Sequence, residues 1–122
     1  MKLYESEGLN LLYNHLNEEV FSSELSVLPV YLADDVDFNG ATHCRANGDP
    51  FQIAISREYV KKASGLDDII STLLHEMIHV YCIEKGIAHF DKVTGTHTKE
   101  FCEAAEAHGL FYDDFTNDNF LI

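Results

Sequence analysis

The sequence predicts an α+β fold: an N-terminal helix, a small three-stranded sheet containing a hairpin, a long buried helix and a further helix after it. Three observations predict it. Apolar residues recur at helical spacing in three extended segments. Between the first and second of these lie short runs of alternating and β-branched residues, punctuated by Asn-Gly turn signals. The chain has 122 residues, 46% of them hydrophobic, and shows no repeat or Pro/Gly-rich linker. That is the size of one domain, residues 1–122, able to bury a core without disulfides.

Each element has its own justification. In "LYESEGLNLLYNHLNEEVF", Leu9, Leu12, Tyr13, Leu16 and Val20 fall on one helical face. The run "LSVLPVYLAD" reads as a strand, and Pro29 argues for its beginning or for an edge position. Two turn signals follow, Asn39-Gly40 and Asn47-Gly48-Asp49-Pro50, flanking "ATHCRA" and preceding "FQIAIS". These two runs predict a hairpin, with Phe51, Ile53 and Ile55 on a buried face and Gln52, Ala54 and Ser56 on an open one. "SREYVKKAS" predicts a short helical turn.

"SGLDDIISTLLHEMIHVYCIEKG" carries the strongest helical signal. Ser64 with Asp67 has the form of a capping box, Asp67 and Asp68 suit the positive end of the helix dipole, and Gly86 supplies the stop. A loop containing Gly95 leads to "THTKEFCEAAEAHG", a last helix ended by Gly109. The remaining "LFYDDFTNDNFLI" mixes aromatic residues with acids and is expected to pack on the body.

The totals exclude several classes of function. Acidic residues number 21 against 8 basic ones, for a net charge of −13, so broad nucleic-acid binding is disfavoured by repulsion from phosphate backbones. Arg45, Arg57, Lys61 and Lys62 form a loose basic cluster, read first as a solvated face. No segment approaches the roughly 20 apolar residues of a membrane span. The start, "MKLYESEGLN", lacks the apolar core of a secretory signal. Cys44, Cys82 and Cys102 make no C-x-x-C pair and read as free thiols of a cytoplasmic protein.

Within the long helix, His75-Glu76-Met77-Ile78-His79 sets two histidines four positions apart, with a glutamate directly after the first. Positions four apart on a helix are about 40° apart on adjacent turns. Both imidazoles then aim at one point, as a tetrahedral metal requires, and Glu76 stands to the side, within reach of a water there. This is the logic of H-E-x-x-H, a zinc site with a built-in general base. Shuffled sequences of this composition contain the pattern in roughly 3–4% of cases, so its weight comes from context. Ile69, Ile70, Leu73, Leu74, Met77, Ile78 and Tyr81 bury the helix, and a buried helix does not carry such polar groups inward without partners.

Catalytic zinc needs a third protein ligand and an open position. The H-x-x-G-x-x-H continuation of one zincin group fails, because Cys82 stands for the glycine and Lys85 for the last histidine. His97, at the start of the last helix, is the first candidate; Phe101, Ala104 and Ala105 then share its stripe and pack against the metal helix. Glu100 or Glu103 is the alternative on that helix, and His89 or Asp91 in the loop. Cys82 lies near the face of His79, either as a fourth ligand that closes the site or as a small buried residue beneath it. His108 suits the negative end of its helix dipole. His15 and His43 are expected at the surface or in the hairpin, and Cys44 and Cys102 in packing.

"LLHEMIHVY" followed by "GTHTKEF" resembles the SprT-like metalloprotease domain, the family that includes the Spartan proteases. Its pattern is a helix with H-E-x-x-H, a loop, and a histidine followed closely by a bulky aromatic residue, matched here by His75, Glu76, His79, His97 and Phe101. The upstream helix and strands fall in the expected order, so the resemblance spans roughly residues 8 to 110. It implies a zincin-like fold, with Zn²⁺ held by His75, His79 and His97 and Glu76 as catalytic base. Many members carry a cysteine-rich zinc ribbon after the protease domain; this sequence shows none and resembles a minimal form. Spartan-type members act on protein crosslinked to DNA, a role that the charge of −13 does not favour.

The expected activity is therefore that of a zinc-dependent endopeptidase acting on a protein or peptide. Zinc lowers the pKa of a water and polarises the scissile carbonyl, and Glu76 moves the proton to the leaving amine. Tyr112, His108 and Arg45 are candidates by type for stabilising the oxyanion. "ATHCRA" or "FQIAIS" is the candidate edge strand for pairing with substrate. The rival expectations are a non-catalytic, zinc-stabilised acidic interaction module and a metal-free protein with a chance motif.

Overall fold

The computed structural model of the chain describes residues 5–91 and 96–110. Helix α1 (Ser6–Phe21) is followed by β1 (Val30–Ala33), β2 (Gly40–Cys44) and β3 (Pro50–Ser56), then by α2 (Arg57–Lys62) and the 20-residue α3 (Leu66–Lys85). A two-stranded ribbon of β4 (Phe90–Asp91) and β5 (Thr96–His97) leads into α4 (Lys99–Ala107). The fold is the expected mixture of α and β. The ribbon is an addition: two-residue strands have no readable periodicity, so this stretch looks like loop in the sequence.

The main sheet runs in the order β1-β3-β2, with β1 parallel and β2 antiparallel to β3. β1 and β2 are thus its outer strands. Pro29 stands just before β1, where a missing N–H costs the ladder nothing, and its carbonyl accepts the N–H of Ile53 at 3.0 Å. Helix α1 covers the start of β1: the Asn10 amide donates to Val30 O at 2.7 Å and accepts from Val30 N–H at 2.8 Å. Such a bridge blunts an edge that would otherwise recruit another strand. Asn17 clasps Leu25 in the same two-way fashion, and the Tyr13 hydroxyl donates to Ser26 O. Three side chains of one helix therefore fasten the connection to the sheet.

The expected one-sided burial of β3 is corrected: Ala54 and Ser56 are buried as well as Ile53 and Ile55, because β3 is the central strand with a neighbour on each side. The core lies between these layers. Leu9 and Tyr13 of α1, Ile53 and Ile55 of β3, and Leu73, Met77 and Ile78 of α3 are fully buried in it. At the second end of α3, Gly86 takes the left-handed conformation (φ 71°) that the sequence assigns to the stop.

At the first end the structure corrects the sequence reading. The cap is Gly65, with no side-chain hydrogen bond, and the helix begins one residue later than a Ser64 cap requires. Asp68, now three residues after the cap, reaches back to the Ser64 hydroxyl at 2.7 Å and N–H at 3.3 Å, in place of Asp67. Cys44 is also corrected: it is exposed, because the β2–β3 register slips between His43 and Cys44 and ends the alternation. The basic residues do not gather. Arg57 pairs with Asp34, Lys62 with Glu58, and Arg45 lies over the Phe51 ring.

Tyr112, Gly95 and the packing of the acidic-aromatic tail beyond Leu110 lie outside the described residues. Among the described residues no helix is long and apolar enough to cross a membrane.

Gly40 opens β2 where the strand passes under α3. A Cβ built there meets Thr72 Cγ2 at 3.0 Å, Glu76 Cγ at 3.2 Å and Ile55 Cδ1 at 3.2 Å. Any side chain at this position has to push these three neighbours aside. Gly40→Val should destabilise the chain by about 1–3 kcal/mol, the usual cost of overpacking a filled core, measured as a lower urea midpoint at unchanged m-value.

Candidate metal centre

Two elements build the site. Helix α3 supplies His75, Glu76 and His79; Glu76 and His79 are each only 2% exposed, in a helix whose other inward residues are apolar. The β4–β5 ribbon supplies His97, which pairs across it with Phe90 and is 3% exposed. The turn after His97 is tightly specified. Thr98 caps α4 by accepting the N–H of Phe101 at 3.0 Å, while its hydroxyl donates to Ala88 O at 2.6 Å and its N–H to His89 O at 3.3 Å.

That cap sets Phe101, fully buried, as a floor for the histidines. Its ring stacks on His97 (centroids 4.3 Å, 16° between planes) and on His79 (4.4 Å, 29°), and meets His75 edge-on at 5.2 Å. Ala104 and Ala105 follow it into the interface, as the expected stripe requires. Flat contact with a rigid ring fixes where imidazole nitrogens point, because it leaves each ring little freedom about its side-chain torsions.

His75, His79 and His97 converge. One ring nitrogen of each lies within 4.8 Å of the others, and Nε2 of His97 is 3.2 Å from Nε2 of His79. Nitrogens on a tetrahedral ion with Zn–N bonds of about 2.05 Å stand roughly 3.3–3.4 Å apart, a spacing that the His79–His97 pair already approaches. The donor chemistry fits as well. Burial, aided by the nearby charges of His75 and His89 when protonated, pushes His97 down to about 4, leaving a neutral imidazole with a lone pair to give. Burial lowers His89 too.

Glu76 has the opposite problem. Burial pushes its carboxyl up to about 8, against the opposing effect of a hydrogen bond from the Thr42 hydroxyl to Oε1 at 2.8 Å. A divalent cation among the histidines would draw the group back toward its charged form, since an adjacent positive charge stabilises a carboxylate. Thr42 projects from β2 and also lies 3.2 Å from the Glu76 carbonyl oxygen. Nothing in "ATHCRA" singles it out in the sequence; its role exists only once β2 packs beneath α3.

The alternatives separate, apart from the side chain of Asp91, which lies outside the described residues. Glu100 and Glu103 are exposed on α4 and are not part of the converging group. His89 reaches back to the site, but to a histidine: its Nδ1 is 2.7 Å from Nδ1 of His79. Cys82 is buried, its thiol pushed up to about 12 by burial, and the converging group does not include it. That is the behaviour of a small core residue. His108 donates from Nδ1 to Ala104 O at the end of α4 and stacks on Phe21, far along the helix from His97. His15 is exposed, whereas His43 is half-buried beside Tyr31, Phe51 and Gln52.

A search of curated proteins finds no match to this sequence. The model of the SprT-like family does match it, over residues 9–118. Those residues hold the three histidines, Glu76, Thr42 and Phe101, and the chain belongs to the SprT-like family.

Proposed function

We propose that the chain is a zinc-dependent endopeptidase of the zincin type, with residues 1–122 acting as one catalytic domain. The observation that carries this reading is the convergence of His75, His79 and His97 beside a buried Glu76 held by Thr42. In this reading the three neutral imidazoles hold Zn²⁺. When bound, the ion supplies Lewis acidity, polarising a peptide carbonyl and making a water acidic near neutral pH.

The chain's own groups do the rest. The carboxylate of Glu76 accepts the proton of the attacking water and gives it to the nitrogen of the leaving amine. Thr42 holds Oε1, so the other carboxylate oxygen is the one turned to the water. Phe101 and the surrounding apolar residues exclude bulk solvent from beneath the histidines, which strengthens each electrostatic contact there.

Substrate is expected along β2. This strand is an outer member of the sheet, and its Thr42 touches Glu76, so a peptide added as a further strand would run beside the reacting group. A protein or peptide partner fits that arrangement, and direct binding to nucleic acid does not fit a net charge of −13. A reducing cytoplasm suits the three free cysteines. The rival reading, a closed structural zinc site in an interaction module, drew on Cys82 as a fourth ligand, and Cys82 stands apart from the group.

Protein purified without chelator should contain about one zinc per chain by elemental analysis, and His97→Ala should lose most of it. A His97→Ala protein with full zinc would remove this residue from the ligand set. Glu76→Gln should keep its metal while peptide cleavage falls by about 10²–10⁴-fold, the usual weight of a general base. Undiminished turnover would sink the mechanism.

Thr42→Val preserves volume and deletes only the hydroxyl. It should cost about 1–3 kcal/mol in urea unfolding of the zinc-loaded protein, because the buried Glu76 oxygen is left unsatisfied. A variant as stable as the natural chain would show that Thr42 does not support the carboxylate.

A further inference from the structure

We propose that His89 is a positioning residue of the metal centre: its Nδ1 accepts the Nδ1–H of His79 and fixes the tautomer that presents the Nε2 lone pair to the ion. The inference rests on the functional reading above and concerns how that site is held in order.

The argument begins with a short contact. The two Nδ1 atoms are 2.7 Å apart, with ring centroids at 4.9 Å. Two lone pairs, or two N–H groups, would repel at that separation, so one nitrogen donates and the other accepts. His79 has only two ring nitrogens, and its Nε2 lies in the histidine group, 3.2 Å from Nε2 of His97. A neutral His79 that offers Nε2 to a metal must carry its proton on Nδ1. It is therefore the donor, His89 Nδ1 is the acceptor, and His89 holds its own proton on Nε2.

The backbone keeps His89 where this requires. Its carbonyl accepts the N–H of Thr98, and the carbonyl of Ala88 accepts the Thr98 hydroxyl, so the stretch bearing His89 is tied to the cap of α4. The next residue, Phe90, pairs with His97 across the ribbon. One small unit thus delivers the third ligand and the orienting partner of the second. Metal-binding histidines commonly donate their other N–H to a carboxylate, a carbonyl or water, and loss of that acceptor weakens the metal by about 10–100-fold. Here an imidazole takes the acceptor's place.

Two substitutions separate orientation from packing. Leu and Asn have nearly the same shape, but Asn carries Oδ1 at the same bond distance from the backbone as Nδ1 of histidine. Zinc affinity, measured by competition with a chromophoric chelator, should fall about 10–100-fold in His89→Leu and stay within about threefold of the natural chain in His89→Asn. Equal affinities for the natural chain and His89→Leu would overturn the proposal, as would an Asn variant as weak as the Leu variant.

The natural zinc-loaded chain supplies an independent measurement that needs no variant. Nitrogen-15 NMR should place the His79 proton on Nδ1, in a hydrogen bond to His89; a His79 protonated on Nε2 overturns the proposal. A natural chain that takes up no zinc at all would instead overturn the enzymatic reading on which the inference stands, and this inference with it.

Discussion

Polar groups inside an apolar helix interface are the constraint around which the rest of this structure is arranged. Helix α3 is packed on the sheet, on α1 and on α4, yet two of its most buried side chains are Glu76 and His79. Burying either without a partner costs several kcal/mol, which is a large part of the stability of a chain this size. Each has therefore drawn a partner from another element. Thr42 comes from the sheet to Glu76, while His97 from the ribbon and His89 from just before it come to His79. These contacts tie the neighbouring elements to α3.

The satisfaction is divided in a way that matches different mechanical demands. Glu76 is held from β2, a strand tied to β3 by an antiparallel ladder, and Gly40 lets that strand come close enough for Thr42 to reach. The histidines are held from the other side by a turn whose geometry is set by Thr98 and whose floor is Phe101. Glu76 and the histidine group thus rest on separate supports, joined through α3. A disturbance of β2 reaches the carboxylate first, and one at the α4 cap reaches His97 first.

Much of this was legible in the sequence. The helix pair at its proper spacing, the hairpin, Gly86 as a stop and the His75-Glu76-His79 geometry all follow from local periodicity, which a single sequence carries directly. His97 was legible because Phe101, Ala104 and Ala105 repeat at helical spacing behind it, so the face of α4 gives away the direction of its entry. Thr42 and His89 were not singled out in the same way. Each acts through one tertiary contact across 34 and 10 residues respectively, and neither sits in a pattern that such a contact would imprint. The shifted start of α3 and the exposed Cys44 had a different cause. Both turn on a one-residue offset, at a cap and at a bulge, which propensity does not resolve.

The asymmetry of the histidine group has a further consequence under the proposed function. His75 and His79 are brought together by helix geometry alone, within one long element. His97 lies on a ribbon of two-residue strands and His89 directly before it, and a pair that short has little stability of its own. Its order comes from Thr98, from the stacking of His97 on Phe101, and from whatever bridges His97 to His79. A cation shared by the three rings would make that last link far stronger than the contact between two neutral imidazoles. Binding free energy would then be spent on ordering the segment that completes the site. Under that reading the two rings on α3 would meet the ion already placed by one helix, and the ion would tie the ribbon's ring to them.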